Sequence, residues 1–153
     1  MIGKHKSREL AMQVLFLWDS QGQADAELAE RVIADATDDP AIRQRASTMA
    51  HGAWEMRQTS DQWMERLAPH WPPRRQPGVD RGILRLAIWE LTSLDTPPKV
   101  VLDEAIELAK SFSTEQSPSF INGVMDAILR EKNELTATSN SPTPAAGETA
   151  ENS

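Results

Sequence analysis

The sequence predicts an all-α protein with an N-terminal and a C-terminal helical half. Three observations carry that expectation. Apolar residues recur at i, i+3, i+4 and i+7 in segment after segment, the spacing that gathers side chains on one face of a helix. No run alternates apolar and polar residues with period two for long enough to make a strand. His70-Trp71-Pro72-Pro73-Arg74-Arg75-Gln76-Pro77-Gly78 holds three prolines and a glycine in nine residues, which forbids helix continuation and makes it the joint between the halves.

Each element follows from local pattern. A first helix is expected after Ser7, with Leu10, Val14 and Leu17 on one face and Ala11, Leu15 and Trp18 beside them. Leu28, Val32 and Ile33 mark a second, acidic helix over 25–36. Pro40 suits the first turn of a third, where a missing N–H costs nothing, and Ile42, Ala46, Met49, Ala50, Ala53 and Trp54 continue its apolar points. Gly52 and Thr59-Ser60-Asp61 predict a break near residue 60, with Ser60 or Asp61 capping a fourth helix that holds Trp63, Met64 and Leu67. Past the joint, Val79, Ile83, Leu86, Leu91 and Leu94, with Leu84, Ala87, Ile88 and Trp89, leave a polar stripe only at Asp80, Arg81, Arg85 and Glu90. A helix apolar nearly all round is a central one. Asp95-Thr96-Pro97-Pro98 ends it, and Val101, Ala105, Leu108 and Phe112 define a sixth helix. Ser117-Pro118 opens a seventh, with Ser117 as N-cap and Ile121, Val124, Met125 and Ile128 inside. Residues 134–153 contain one leucine and no other large apolar side chain, too little to offset chain entropy, so a helical domain over 1–133 is expected to end in a disordered acidic tail.

The chain has 153 residues, no cysteine and a net charge of −7. Disulfide-stapled scaffolds and zinc-thiolate modules are thereby excluded, and one domain with a real core is expected. No stretch reaches the roughly 18 apolar residues of a spanning helix, and the basic start leads into no signal-peptide core, so the expected location is the cytoplasm. The charge is partitioned. Residues 19–39 carry seven acids against Arg31, residues 133–153 carry three acids and no base, and residues 40–132 balance at twelve of each sign. Acidity concentrated in one segment and a tail leaves room for a local basic site.

Enzyme chemistry finds little support. His5, His51 and His70 lie far apart and form no ligand pair, so neither a metal site nor a His-dependent triad is expected. The seven glycines include no phosphate-cradling motif, and no cofactor is expected. Asp103, Glu104 and Glu107 follow the polar edge of the sixth helix, as a solvated or protein-docking face. No helix pairs a Lys/Arg-rich face with an apolar one, which argues against a membrane surface.

Two features fit binding better. Lys4, Lys6 and Arg8, with His5 and Ser7 between them, form a cationic arm ahead of the first helix that could contact phosphates. In SFSTEQSPSFING, Phe112 and Phe120 flank a polar loop containing Gln116, and phenylalanine at loop edges can stack on unpaired bases. On spacing alone Phe112 continues the Val101, Ala105, Leu108 stripe and reads as core, whereas Phe120 is less committed. Trp18, Trp54, Trp63 and Trp89 read as core; Trp71 stays undecided.

SRELAMQVLFLWD at 7–19, VDRGILRLAIWEL at 79–91, PPKVVLDEAIELAKSFS at 97–113 and FINGVMDAILRE at 120–131 resemble, in order and spacing, the NusB family of transcription antitermination factors. That resemblance covers roughly residues 4–132 and implies an all-helical fold of two small bundles, about seven helices in all. It implies an RNA-binding adaptor without catalysis, which pairs with the small-subunit ribosomal protein NusE, binds the single-stranded boxA element of ribosomal RNA leaders and serves the RNA polymerase antitermination complex. Carried over by motif position, Lys4, Lys6, Arg8, Phe16, Asp80, Phe112, Gln116, Phe120 and Asn122 would face RNA. Asp103, Glu104 and Glu107 would contact the ribosomal protein. Phe16 stands where relatives often carry tyrosine, and Gln116 where relatives carry an acid. The same helical domain occurs in RNA cytosine methyltransferases, but a chain without cysteine lacks that nucleophile. The alternative expectation is a protein-binding helical module or homodimer that binds no RNA.

Overall fold

Residues 2–140 are described in a computed structural model, with side chains described for residues 4–133. Among these residues run seven α-helices and one 3-10 turn, with no strand. The helices are α1 Ile2–Gln21, α2 Ala26–Ala36, α3 Pro40–Glu55, α4 Arg57–Leu67, α5 Gly78–Ser93, α6 Pro98–Phe112 and α7 Ser117–Asn140, with the 3-10 turn at Pro73–Arg75 between α4 and α5. The all-α expectation holds. The backbone of α7 runs on to Asn140, past the expected start of a tail at 134, and residues 141–153 lie outside the described residues.

Helix boundaries follow the caps where caps are local. Asp25 accepts the N–H of Leu28 at 3.0 Å and starts α2. Asp39 accepts the N–H of Ala41 at 2.9 Å ahead of Pro40, and starts α3. Such a cap contributes about 1 kcal/mol. Gly22, at φ +76°, closes α1 by returning its N–H to the Trp18 carbonyl at 2.8 Å, a conformation that favours glycine. Besides the end of α7, two boundaries differ from expectation. The start of α1 is at Ile2 rather than after Ser7, because the Ser7 side chain is fully buried against α3 and donates to the Ile42 carbonyl at 3.4 Å. The α3–α4 break is at Met56 rather than near 60, since the Asp61 carboxylate receives two hydrogen bonds from Arg85 and Ser60 is buried within α4. At the break itself, the Arg57 guanidinium donates to the Trp54 carbonyl at 2.9 Å and lies 4.1 Å over its ring.

One apolar core runs through the molecule, with α5 at its centre. Helices α1 and α3 pack on one side of α5, and α6, α7 and α4 on the other, so α4 crosses from the N-terminal half to the C-terminal one. Trp18, Leu84, Ile88, Met64, Ile121 and Met125 are fully enclosed, positions where truncation to alanine costs about 2–5 kcal/mol. A Cβ at Gly52 would run into the Trp89 indole, so this glycine sets the approach of α3 to α5.

The proline joint is fastened by charge. Arg81 donates to Asp19 of α1 through Nε at 3.0 Å and also through Nη2, while its Nη1 donates to the carbonyls of Pro73 at 2.6 Å and Gln76 at 2.9 Å. Arg85 bridges Asp19 at 3.0 Å and Asp61 at 2.7 Å. Burial raises the Asp19 carboxyl's pKa, and the Arg81 and Arg85 guanidiniums outweigh it and hold the group below the usual carboxylate range. Burial likewise lowers the pKa of Arg85, and Asp61 and Asp19 outweigh that to raise it.

Candidate nucleic-acid interface

Phe16 of α1 and Phe112 at the end of α6 are both 38% exposed, and both line a shallow apolar cavity of about 320 Å3 with Met12 and Val79. Gly78 makes this possible, because a Cβ there would sit 2.9 Å from the Phe16 ring. Spacing alone assigned Phe112 to the core; it lies instead where α6 ends and its outer face is left uncovered. Phe120 is the more covered of the two loop phenylalanines, half-buried against the core.

The loop between α6 and α7 is held from below. Asp80, in the first turn of α5, is 2% exposed and accepts from the hydroxyls of Ser113 at 2.5 Å and Ser117 at 2.9 Å. Ser117 also accepts the N–H of Thr114 at 3.2 Å. Its hydroxyl thus ties the loop to α5. Both Asp80 oxygens are engaged by the Ser113 and Ser117 hydroxyls, and at 2% exposure its place shifts from an open RNA-facing surface to the floor beneath the loop. Gln116 and Asn122 are exposed on either side of the α7 start. A second groove, of about 720 Å3, lies between this loop and the proline joint, lined by Trp71, Gln76, Gln116, Ser117 and Phe120 among others.

The cationic arm is the first turns of α1 rather than a free segment. Lys4 is exposed, and Lys6 is half-buried with its ammonium 3.2 Å from Glu9. Arg8 departs from its expected role. It is 5% exposed and donates to both oxygens of Glu90, at 2.9 and 2.5 Å, and to Glu104 at 3.1 Å. The hydrogen bonds from Arg8 to Glu90 raise the guanidinium's pKa against the opposing effect of burial. An arginine 5% exposed and paired with two carboxylates offers little surface to a phosphate, and we reassign it to the interior. Along α1, Lys4 and Phe16 stand about 18 Å apart at 1.5 Å per residue and about 120° apart round the axis at 3.6 residues per turn, so arm and aromatic surface lie on different faces of the helix.

The three acids of α6 separate as well. Asp103 is exposed beside Lys99 at 3.5 Å, and Glu107 is exposed one turn on. Glu104 turns inward to Arg8 and to His5, the latter at 3.0 Å. Only Asp103 and Glu107 thus present carboxylates outward. Two groups escaped sequence reasoning. Glu90 was visible as an acid in a helix otherwise apolar nearly all round, which signals a buried partner, but nothing local named Arg8. Ser113 carried no signal, being one of several serines in a polar loop.

The family model described as the NusB family matches residues 5–130. The chain belongs to the NusB family. A transcription antitermination protein NusB from Solibacter usitatus is 40% identical over 139 residues, covering 90% of this chain and 95% of the relative. One from Chloroflexus aggregans is 37% identical over 143 residues, covering 86% and 93%. Among solved structures, T. maritima NusB superposes with a TM-score of 0.73 at 31% identity, covering 86% of this chain and 96% of that one. A crystal structure of the antitermination factors NusB and NusE in complex with dsRNA matches with a TM-score of 0.75 at 27% identity, covering 86% and 98%. This NusB-family chain shares their fold, and among the described residues no helix is long and apolar enough to cross a membrane.

Proposed function

We propose that this chain is a non-catalytic RNA-binding adaptor in transcription antitermination. With the ribosomal protein NusE it binds the single-stranded boxA element of ribosomal RNA leader transcripts, and it helps the RNA polymerase complex read ribosomal RNA operons processively in the cytoplasm. The observation that carries this is the open aromatic surface formed by Phe16 and Phe112 next to the α6–α7 loop. Rings exposed in this way can stack only on bases that are not already stacked in a duplex, which favours a single strand. The NusB–NusE relative in complex with dsRNA supports RNA binding alongside NusE, while the preference for a single strand rests on the exposed rings.

In this reading Phe16, Phe112 and Phe120 meet bases, Gln116 and Asn122 offer amides to base edges, and Lys4 and Lys6 meet phosphates. Asp80 positions the loop from below. Asp103 and Glu107 face the ribosomal protein, while Glu104 steadies α1 against α6. The neutral amide of Gln116 adds no repulsion next to the RNA backbone.

The test is a titration of labelled boxA RNA with the protein alone and with NusE. Weak binding alone and tighter binding with the partner are expected. With few cations on the surface, the slope of log K against log salt should be no steeper than about −3, each neutralised phosphate of a single strand contributing about −0.7. Equal affinity for boxA and a scrambled sequence in the presence of NusE would sink the proposal.

A further inference from the structure

Trp71 is 57% exposed, the most exposed large apolar side chain among the described residues. It is nonetheless held in place. Its N–H donates to the Ala68 carbonyl at 3.0 Å, and its own carbonyl accepts Nε2 of Gln76, a residue 5% exposed, at 3.1 Å. Pro72 and Pro73, both buried, stiffen the turn that follows. The indole stands edge-on to Phe120, with ring centroids 6.4 Å apart and planes at 72°. One ring thus buttresses the other and leaves an indole face open above the 720 Å3 groove.

Charge accompanies the ring. Arg74 and Arg75 follow in the 3-10 turn, both exposed. Glu65 holds Arg74 at 3.6 Å, whereas Arg75 has no acidic partner among the described residues. The acids that line the groove are Glu115, on the opposite, loop side, and Asp80, which is occupied by Ser113 and Ser117. A preorganised exposed indole beside a free guanidinium is what an unpaired nucleotide requires: a face for the base and a cation for its phosphate.

Resting on the RNA-binding role proposed above, we infer that Trp71 stacks on one unpaired base and Arg75 meets the adjoining phosphate. The RNA path then continues from the α6–α7 loop across the groove to the proline joint. Because the ring is fixed before binding, little side-chain entropy is lost when the base arrives.

The experiment compares wild type, Trp71→Ala, Trp71→Phe and Arg75→Ala, each with NusE, on boxA leader RNA and on the same RNA carrying single abasic sites. Trp71→Ala should bind about tenfold more weakly, within the span expected for one stacked base, and Trp71→Phe should recover most of that. Arg75→Ala should lessen the salt slope by about 0.7. At one nucleotide the abasic site should weaken wild type but leave Trp71→Ala unchanged. Wild-type affinity in Trp71→Ala, or abasic sites that weaken the variant and wild type alike at every nucleotide, overturns the inference. Loss of NusE assembly with RNA affinity intact also overturns it, assigning the groove to a protein. A wild type that does not prefer boxA is a separate result and defeats the RNA-binding role itself.

Discussion

Asp80 has 2% of its surface exposed and directs its two oxygens to the hydroxyls of Ser113 and Ser117, so its part is to hold the loop. Removing Asp80 takes the charged acceptor from both hydroxyls, which keep each other at 3.0 Å and the Thr114 hydroxyl at 2.7 Å from Ser117. Hydrogen bonds to a charged group contribute about 1.5–3 kcal/mol each, and the remaining hydroxyl pairs offset part of that loss. Asp80→Ala should therefore destabilise the fold by about 2–4 kcal/mol and weaken RNA binding by loosening the loop that carries Gln116. Asp80→Asn, which keeps one acceptor oxygen, should recover roughly half the stability. Urea midpoints set beside RNA affinities check this; an alanine variant as stable as wild type but unable to bind RNA would return Asp80 to the surface. Sequence pattern could place Asp80 on a polar stripe, because that needs only its own helix. It could not say what covers the stripe, which depends on serines more than thirty positions away. The same distance hid the exposure of Phe112, whose helical spacing matched the core while its end of α6 was left bare.

Most helices were visible in the sequence because apolar periodicity and a proline such as Pro40 in a first turn are local causes, as are the caps Asp25 and Asp39 that the structure adds. The two displaced boundaries, at Ile2 and Met56, have tertiary causes. Ser7 packs on α3, and Asp61 is taken by Arg85 instead of capping a helix. Arg8 belongs to the same class, a cation that looked like part of an arm and turns inward to couple α1 to α5 and α6 through Glu90 and Glu104. Breaking a buried pair from one side strands the other charge and costs about 3–5 kcal/mol, whereas replacing both partners by apolar groups is often nearly neutral. Arg8→Met alone should lower the urea midpoint strongly, and adding Glu90→Leu should restore much of it. RNA affinity of the refolded double variant should match wild type to within about twofold, since no phosphate contact is lost. A fully folded Arg8→Met with sharply weaker RNA binding would show the guanidinium on the RNA surface after all.

At the scale of the whole molecule, Asp19, Asp61, Arg81 and Arg85 tie α1, α4, α5 and the proline joint together at one point. The joint carries Trp71, so the tie also sets where the second groove lies relative to the first. Its acid sensitivity follows from Asp19. The carboxyl's ordinary value is 3.8, and in the folded protein the two guanidiniums lower it despite burial. A group with a depressed folded value stabilises the fold fully above its unfolded value and loses that contribution as pH falls through the folded one. Between pH 5 and pH 7 the contribution of Asp19 should thus be constant, and Asp19→Asn should cost about 2 kcal/mol, the worth of a charged hydrogen bond. Below 3.8 wild type should lose stability faster than the variant, because only wild type has a proton to take up at this position. Urea midpoints of the two proteins measured from pH 7 down to pH 2.5 should converge at the acid end. A gap that stays constant over that range would mean that the Asp19 charge contributes nothing and that packing alone holds the joint to α1.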